Sequence, residues 1–469
     1  MNILDQVISF IADQNVDAYL VGGLVRDQLL ARPVRDIDLA IDGDASAVAR
    51  EFANVRGGAF YVMDEEHNVA RVILEDTYID FAQLRGDLRA DLATRDFTIN
   101  AMARQLGTNE LSDPFHGQKH LHAKQVCAVT DEAFQNDPVR LLRAIRIAGE
   151  LGFAVGGHTE KLMARDAHLL AFASMERARD ELCKILAQTN HVALLRYADH
   201  LGLLTALLPE LTALRNVEQT APHVFPVFDH TLRVADELEA IQARGYAEIG
   251  DGEFIAELQT HFAQIVSAER TRGTLLRFAA LAHDIGKAAT RSVDEAGAVH
   301  FYQHETRGAE MVETLMRRLR FSNAEIEIVQ RVVLNHLRPT WLEREARVSN
   351  RAAHRFFRDA GDAGIDVCAL ALADRRGTYA PNAWDDADAL TKQVCARLLE
   401  PYFRARETVI APPALIDGRM LMRELNLEPG KRIGELLDAI REAQAEGEVK
   451  SREDAIAFAR TFVNPKSEI

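Results

Sequence analysis

The sequence predicts an α/β head followed by a remainder that is helical almost to its end. Three observations carry this reading. Up to about residue 125, short apolar or alternating runs exchange with short helical ones. From about Thr130 onward, apolar residues recur at helical spacing. The chain has 469 residues, 48% hydrophobic and 27% charged, ample for several cores.

Taken in order, Ala18 to Val21 reads as a buried strand ended by Gly22-Gly23, and Val25 to Leu30 as a short helix. Asp36 to Asp42 (DIDLAID) alternates acid and aliphatic residues at period two, the mark of a half-buried strand. Ala70 to Leu74 and Tyr78 to Gln83 are further strands. A helix is expected to begin at Asn136, with Pro138 in its first turn, and LLRAIRIAGELGF continues it. MERARDELCKILA and HVALLRYADHLGLL are two more. A polar, proline-punctuated stretch at 216–226 marks a boundary, and a second helical block runs to about Asp385. Beyond Ala411-Pro412-Pro413 come two or three amphipathic helices with a Pro-Gly turn. The expected domains are 1–125, 126–215, 216–385 and 386–469.

Several classes are excluded. No apolar run approaches the length that crosses a bilayer, so no membrane association is expected. MNILDQVISFIADQNVD lacks the basic start of a signal peptide. Cys127, Cys183, Cys368 and Cys395 lie far apart, which suits a reducing cytoplasm. The net charge of −16 is unlike that of a protein whose affinity comes from neutralising many phosphates. Any nucleic-acid contact is then a local patch or a set of specific hydrogen bonds. Acid clusters that collect metal ions explain the charge equally well.

Asp36 and Asp38, two apart on a strand, project from one face while Ile37, Leu39 and Ile41 fill the other. Two neighbouring carboxylates repel unless a cation lies between them. With a third acid, for which Asp80 is the candidate, such a pair can hold Mg²⁺ between a nucleotide's phosphates and a hydroxyl nucleophile. Alone, D-x-D is as readily a polar strand face. Gly22-Gly23 before Arg26 adds a turn that lets backbone approach a triphosphate, and a guanidinium fork for its oxygens.

LVGGLVRD, RDIDLAIDGD, RDFTINAMA and DPVRLLRAIR together resemble the bacterial-type, class II tRNA nucleotidyltransferases, which include CCA-adding, CC-adding and A-adding enzymes and bacterial poly(A) polymerases. The resemblance spans about residues 16 to 215. It implies a polymerase-β-like mixed sheet in the head, then an all-α neck, an all-α metal-binding domain and a helical tail. It implies that Asp36 and Asp38 are catalytic and hold Mg²⁺, and that Gly22, Gly23 and Arg26 hold the triphosphate. Arg95 and Asp96 would contact sugar and phosphate, and Asn100 would orient that segment. Asp137 and Arg140 would read the amino group and ring nitrogen shared by cytosine and adenine, with Arg143 and Arg146 continuing the basic face. The implied partners are the tRNA 3′ end, CTP and ATP. The chain departs from the family at Asn136, at Thr94, and in the few residues (GDLRADLA) between YIDFAQLR and TRDFT, where CCA-adding members carry a longer loop. A shortened loop implies a CC-adding member.

His230 in FDHTL, His283-Asp284 in LAHDIGK, His304 in YQHETRGAEM, His336 in NHLRP and Asp374 in ALADRRG lie too far apart for a single-helix site. Helices of one bundle bring such ligands together. Their order resembles the HD phosphohydrolases, which implies one or two divalent metals and water activated against a phosphoester, with Lys287 suited to the phosphate. In the tail, LNLEPGKRIGELLDAI resembles the family's RNA-contacting helices, where Gly430, Gly434, Lys431 and Arg432 would meet a phosphate. Two other readings stand beside tRNA nucleotidyl transfer: a poly(A) polymerase, and a phosphohydrolase whose head only binds RNA or nucleotide.

Overall fold

The computed structural model describes residues 3–14, 16–34, 36–344, 348–380, 383 and 385–463. The chain divides into two compact units, 1–188 with 193–207, and 189–192 with 208–469.

The first unit is built on β1 (Asp17–Val21), β2 (Ile37–Asp42), β3 (Ala59–Asp64), β4 (Val69–Leu74), β5 (Thr77–Gln83), β6 (Ala103–Gln105) and β7 (Leu111–Ser112). They form one sheet in the order β3-β4-β5-β2-β1-β6-β7. β2 and β5 run parallel, pairing Asp38 with Asp80, and the other neighbours are antiparallel. The period-two run behaves as its pattern dictates: Ile37, Leu39 and Ile41 are buried, and Asp38 faces the other way, half-buried. Asp36 sits exposed one residue before β2 rather than inside it. Helix Ala45–Arg56 covers the apolar face, with the Phe52 ring 5.9 Å from that of Phe81. Asp44 caps the helix by accepting from Ala47 N at 3.0 Å, and Gly57, in a left-handed conformation, ends it. Burial of aliphatic side chains such as Leu39 and Ile41 stabilises this face by about 1.5–3 kcal/mol each.

The neck departs from expectation at one point. No helix starts at Asn136. A short helix, Ala133–Asn136, stops there, Asp137 is extended (φ −152°, ψ 97°), and the long helix is Arg140–Leu151. The cause is Pro138, whose ring excludes helical geometry from the residue before it. Helix Met175–Leu186 packs beside Arg140–Leu151.

Among the described residues, the regular structure of the second unit is helical apart from two short antiparallel pairs, Ile265–Ser267 with Arg270–Thr271 and Ser292–Val293 with Val299–His300. Helix Ala363–Thr378 is buried almost all round. Helices Val227–Ala243, Arg272–Ala282 and Asn323–Asn335 pack against it. Helix His304–Arg318 packs on Asn323–Asn335. The tail helices Gly418–Leu425, Lys431–Glu446 and Arg452–Val463 close on Leu421, Leu436, Ile440 and Ala459. Lys431 and Arg432 at the Pro-Gly turn are exposed. No helix among the described residues is long and apolar enough to cross a membrane, and the four cysteines are unpaired.

Candidate active site and metal centre

The turn after β1 lies directly on the acid-bearing strand. Gly22 has φ +73°, and a β-carbon built on it would stand 2.9 Å from Asp38 Oδ2 and 3.0 Å from Arg95 Nη1. Only glycine therefore lets Gly22, Asp38 and Arg95 share this space. Burial raises the pKa of Asp38, and the charges of Asp80 and Asp36 add to this against Arg95 and Arg143. A half-buried carboxylate with acid neighbours and a raised pKa suits a cation.

Around it runs a chain of polar contacts. Arg26 is clamped to Asp27 by two bonds of 2.9 Å, and its Nη1 donates to Asn100 Oδ1 at 2.9 Å. Asn100 Nδ2 donates to Asp96 Oδ1 at 2.9 Å, and Arg143 Nε donates to Asp96 Oδ2 at 2.5 Å. Asp96 is buried, which alone would raise its pKa, yet Arg143, Asn100 and the Phe97 N–H bring it below the ordinary value. Asn100 thus joins the segment after Arg95 to the helix that carries Arg26.

Some expected site residues are engaged elsewhere. Asp80 is held by Arg71 through bonds of 2.7 and 2.8 Å, so it is the partner of an arginine and not an open third ligand. Among the described residues, Asp36, Asp38 and Asp80 do not make a three-ligand cluster. Asp137 and Arg140 are 3.8 Å apart, although Asp137 lies outside the helix that begins at Arg140. Arg140, however, donates to the Thr94 and Arg95 carbonyls, and Asp137 accepts from Arg177 at 2.7 Å. Arg146 turns to Glu181 at 2.5 Å and Glu150 at 2.8 Å instead of continuing an open basic face.

The second unit gathers His230, His283 and Asp284, and Asp284, His304 and His336, each as a group whose ligand atoms lie within 4.8 Å of one another. Asp374 joins them, its Oδ1 3.0 Å from His230 Nε2. His283, His304 and His336 each direct Nδ1 at a backbone carbonyl (Ala280, Phe301 and Val333) at 2.7–2.8 Å. A carbonyl only accepts, so these Nδ1 atoms carry the protons and the Nε2 lone pairs face inward. His304 Nε2 and His336 Nε2 are 3.4 Å apart. Burial pushes the pKa of His336 down to about 3, leaving a neutral imidazole. Lone pairs converging on a buried carboxylate are the donor set of a divalent-metal site. Lys287 reaches Asp284 at 2.6 Å and Gln219 at 2.7 Å.

Sequence reasoning missed His223 and Gln219, which stand beside the second site. The His223 ring is 5.2 Å from that of His230, and burial with the charge of Lys287 lowers its pKa to about 4. It also missed Arg71, Arg177 and Glu181. None sits in a telling spacing. Only strand register, which pairs Arg71 with Asp80, was in principle available from the alternation of β4 and β5.

The chain is similar to known proteins over nearly all of its length. Residues 18–127 match the model of the poly A polymerase head domain, and 152–214 that of a probable RNA- and SrmB-binding site of polymerase A. Residues 227–376 match the HD domain, and 408–459 match tRNA nucleotidyltransferase domain 2. An A-adding tRNA nucleotidyltransferase of Deinococcus radiodurans is 31% identical over 451 residues, 95% of each chain. A CC-adding tRNA nucleotidyltransferase of Thermus thermophilus is 30% identical over 450 residues, 94% of this chain and 93% of the relative. In fold, the chain is similar to a CCA-adding enzyme in its apo form I, with TM-score 0.66 and 20% identity over 100% of this chain and 94% of that one. It is also similar to the Thermotoga maritima CCA-adding enzyme complexed with tRNA, with TM-score 0.62 and 21% identity over 98% and 95%. Head and HD domain are both of metal-dependent kinds. With near-complete coverage at this identity, the chain belongs to the tRNA nucleotidyltransferase family.

Proposed function

We propose that this chain adds CC to the tRNA 3′ end from CTP without a template, and that its HD domain is an accessory phosphohydrolase. The observation that carries the transferase reading is the seat of Asp38 against Gly22 and Arg95. Asp36 and Asp38 would hold Mg²⁺, which supplies charge neutralisation at the attacking hydroxyl and the departing pyrophosphate. Gly22 and Gly23 offer close backbone approach to the triphosphate, and Arg26, fixed by Asp27 and Asn100, aims a guanidinium at it. The terminal ribose oxygen bonds to the α-phosphorus as the α–β phosphoanhydride breaks, and pyrophosphate leaves in line. Arg95 offsets negative charge beside Asp38. Asp137 and Arg140 read the pyrimidine or purine edge once released from Arg177 and the Thr94 carbonyl. Asp96 and Asn100 position; Arg143 and Arg146 brace the neck helix.

The CC reading is supported by the connection between β5 and helix Leu88–Ala93, which is four residues long, 84–87. So short a link leaves no flexible segment to re-shape the pocket from C to A. Likeness to the A-adding relative favours a second reading, addition of A alone. One end-product analysis decides. A tRNA ending at the discriminator base, given CTP and ATP together, gains CC and stops; terminal A would contradict CC addition. A tRNA already ending in CC that gains A would establish the second reading.

In the HD domain, His230, His283, Asp284, His304, His336 and Asp374 would hold the divalent metal, which supplies an activated water. Lys287 and Gln219 would face the phosphoester. The division into head, neck, HD domain and tail at 125, 215 and 385 is part of the same proposal.

A further inference from the structure

The attacking strand needs a path to Asp38, and the sheet restricts where that path runs. Resting on the nucleotidyltransferase reading above, the triphosphate lies on the β1 side of β2, against Gly22 and Gly23. In-line displacement puts the nucleophile opposite the departing pyrophosphate. The RNA 3′ end therefore approaches from the other side of β2, across β5, β4 and β3.

On that side, the face that carries Asp38 continues in register. Asp38 pairs with Asp80, Asp80 with Arg71, and Arg71 with Tyr61. Tyr78, two residues before Asp80, shares the same face. Tyr61 is 53% exposed and Tyr78 44%. The opposite face of these strands is the core, with Val72, Ile79 and Phe81 at 0%. The two tyrosines thus do nothing for that core, and the sequence spends exposed aromatic surface on the acid face. Arg71, pinned to Asp80, lays its guanidinium carbon 5.1 Å from the centre of the Tyr78 ring. The result is an exposed surface of aromatic rings and a paired guanidinium that continues in strand register to Asp38.

We infer that Tyr78, Arg71 and Tyr61 form a stacking platform for the unpaired 3′-terminal nucleotides of the RNA acceptor. Unpaired bases stack on aromatic side chains and guanidinium planes without sequence preference. That tolerance is what an enzyme acting on many different 3′ ends requires. The occupant is single-stranded RNA because the platform is continuous with the transfer site, where a strand end must arrive.

The test uses the full chain and a tRNA ending at the discriminator base, with 2-aminopurine as its terminal base. The Tyr61→Ala/Tyr78→Ala double variant should raise KM for tRNA by about tenfold or more, from the loss of base–aromatic stacking, while KM for CTP stays within about twofold. Binding should quench 2-aminopurine in wild type and not in the alanine variant. Tyr61→Phe/Tyr78→Phe should behave as wild type, since stacking needs the ring and not the hydroxyl. If wild type incorporates CMP and the alanine variant matches it in KM and quenching, the platform is refuted and the transferase reading stands. If wild type incorporates nothing, that reading itself fails. If sedimentation shows that the alanine variant turns a dimer into a monomer, the face is covered by a second copy and the inference falls.

Discussion

Arg143 Nε donates to Asp96 Oδ2 at 2.5 Å, and so ties the neck helix Arg140–Leu151 to the segment that follows Arg95. Asp96 is 8% exposed and also accepts from Asn100 and the Phe97 N–H. Removing its carboxylate leaves three donors short of an acceptor. Asp96→Ala should therefore lower stability by about 3 kcal/mol. A double-mutant cycle with Arg143→Ala, read by urea unfolding, should give clear coupling; additive effects would deny the link.

Gly22 offers a sharper test of site geometry. Gly22→Ala places a methyl 2.9 Å from Asp38 Oδ2 on a backbone with φ +73°. The backbone strain costs about 1–3 kcal/mol, and either Asp38 or Arg95 must move. CMP incorporation should fall at least about tenfold with a smaller loss of melting temperature, as expected when a reacting group is displaced. Full activity would mean that the turn does not border the reaction.

The sheet and the two acid centres were legible in the sequence for a physical reason. A strand buried on one face must alternate, so DIDLAID declares both its core face and its acid face. A buried HD pair beside an apolar helix is costly unless ligated or paired, which is why His283-Asp284, directly after helix Arg272–Ala282, stood out. What was not legible was pairing across the fold. Nothing local says that Asp80 meets Arg71, that Asp137 meets Arg177, or that His223 stands by His230. Those partners are set by strand register and helix packing. The helix does not start at Asn136, because Pro138, a favourable first-turn residue, excludes helical geometry from Asp137 before it.

Stability should carry an acid-dependent signature from Glu325. Its side chain is fully buried and accepts from Arg270 at 2.6 Å and from Ser322 N at 2.8 Å. Burial opposes ionisation, but these bonds win and hold its pKa below the ordinary 4.5. A depressed carboxylate stabilises the fold above its unfolded pKa and loses that contribution as pH falls through the folded one. Glu325→Gln should thus melt below wild type at pH 7, with the gap closing as pH drops below 4.5. A gap constant between pH 7 and 3 would contradict this.

The HD site should separate cleanly from nucleotide transfer. The His283→Ala/Asp284→Ala variant removes two ligands from one group and one from the other. Elemental analysis should show at least one divalent metal per chain lost, and hydrolysis of a p-nitrophenyl phosphoester should vanish. CMP incorporation by the same protein should persist. Loss of both activities in a folded variant would show that the two centres are not independent.

The most direct measurement is CMP incorporation into tRNA trimmed of its 3′ end, by wild type and Asp38→Asn side by side in magnesium. Asp38 is half-buried beside Asp36 and Asp80 with its pKa raised, so neutralising it should leave the melting temperature no lower than wild type. Incorporation should fall by about a thousandfold or more, the worth of several kcal/mol of transition-state stabilisation. Equal incorporation by the two proteins would place the chemistry somewhere other than β2.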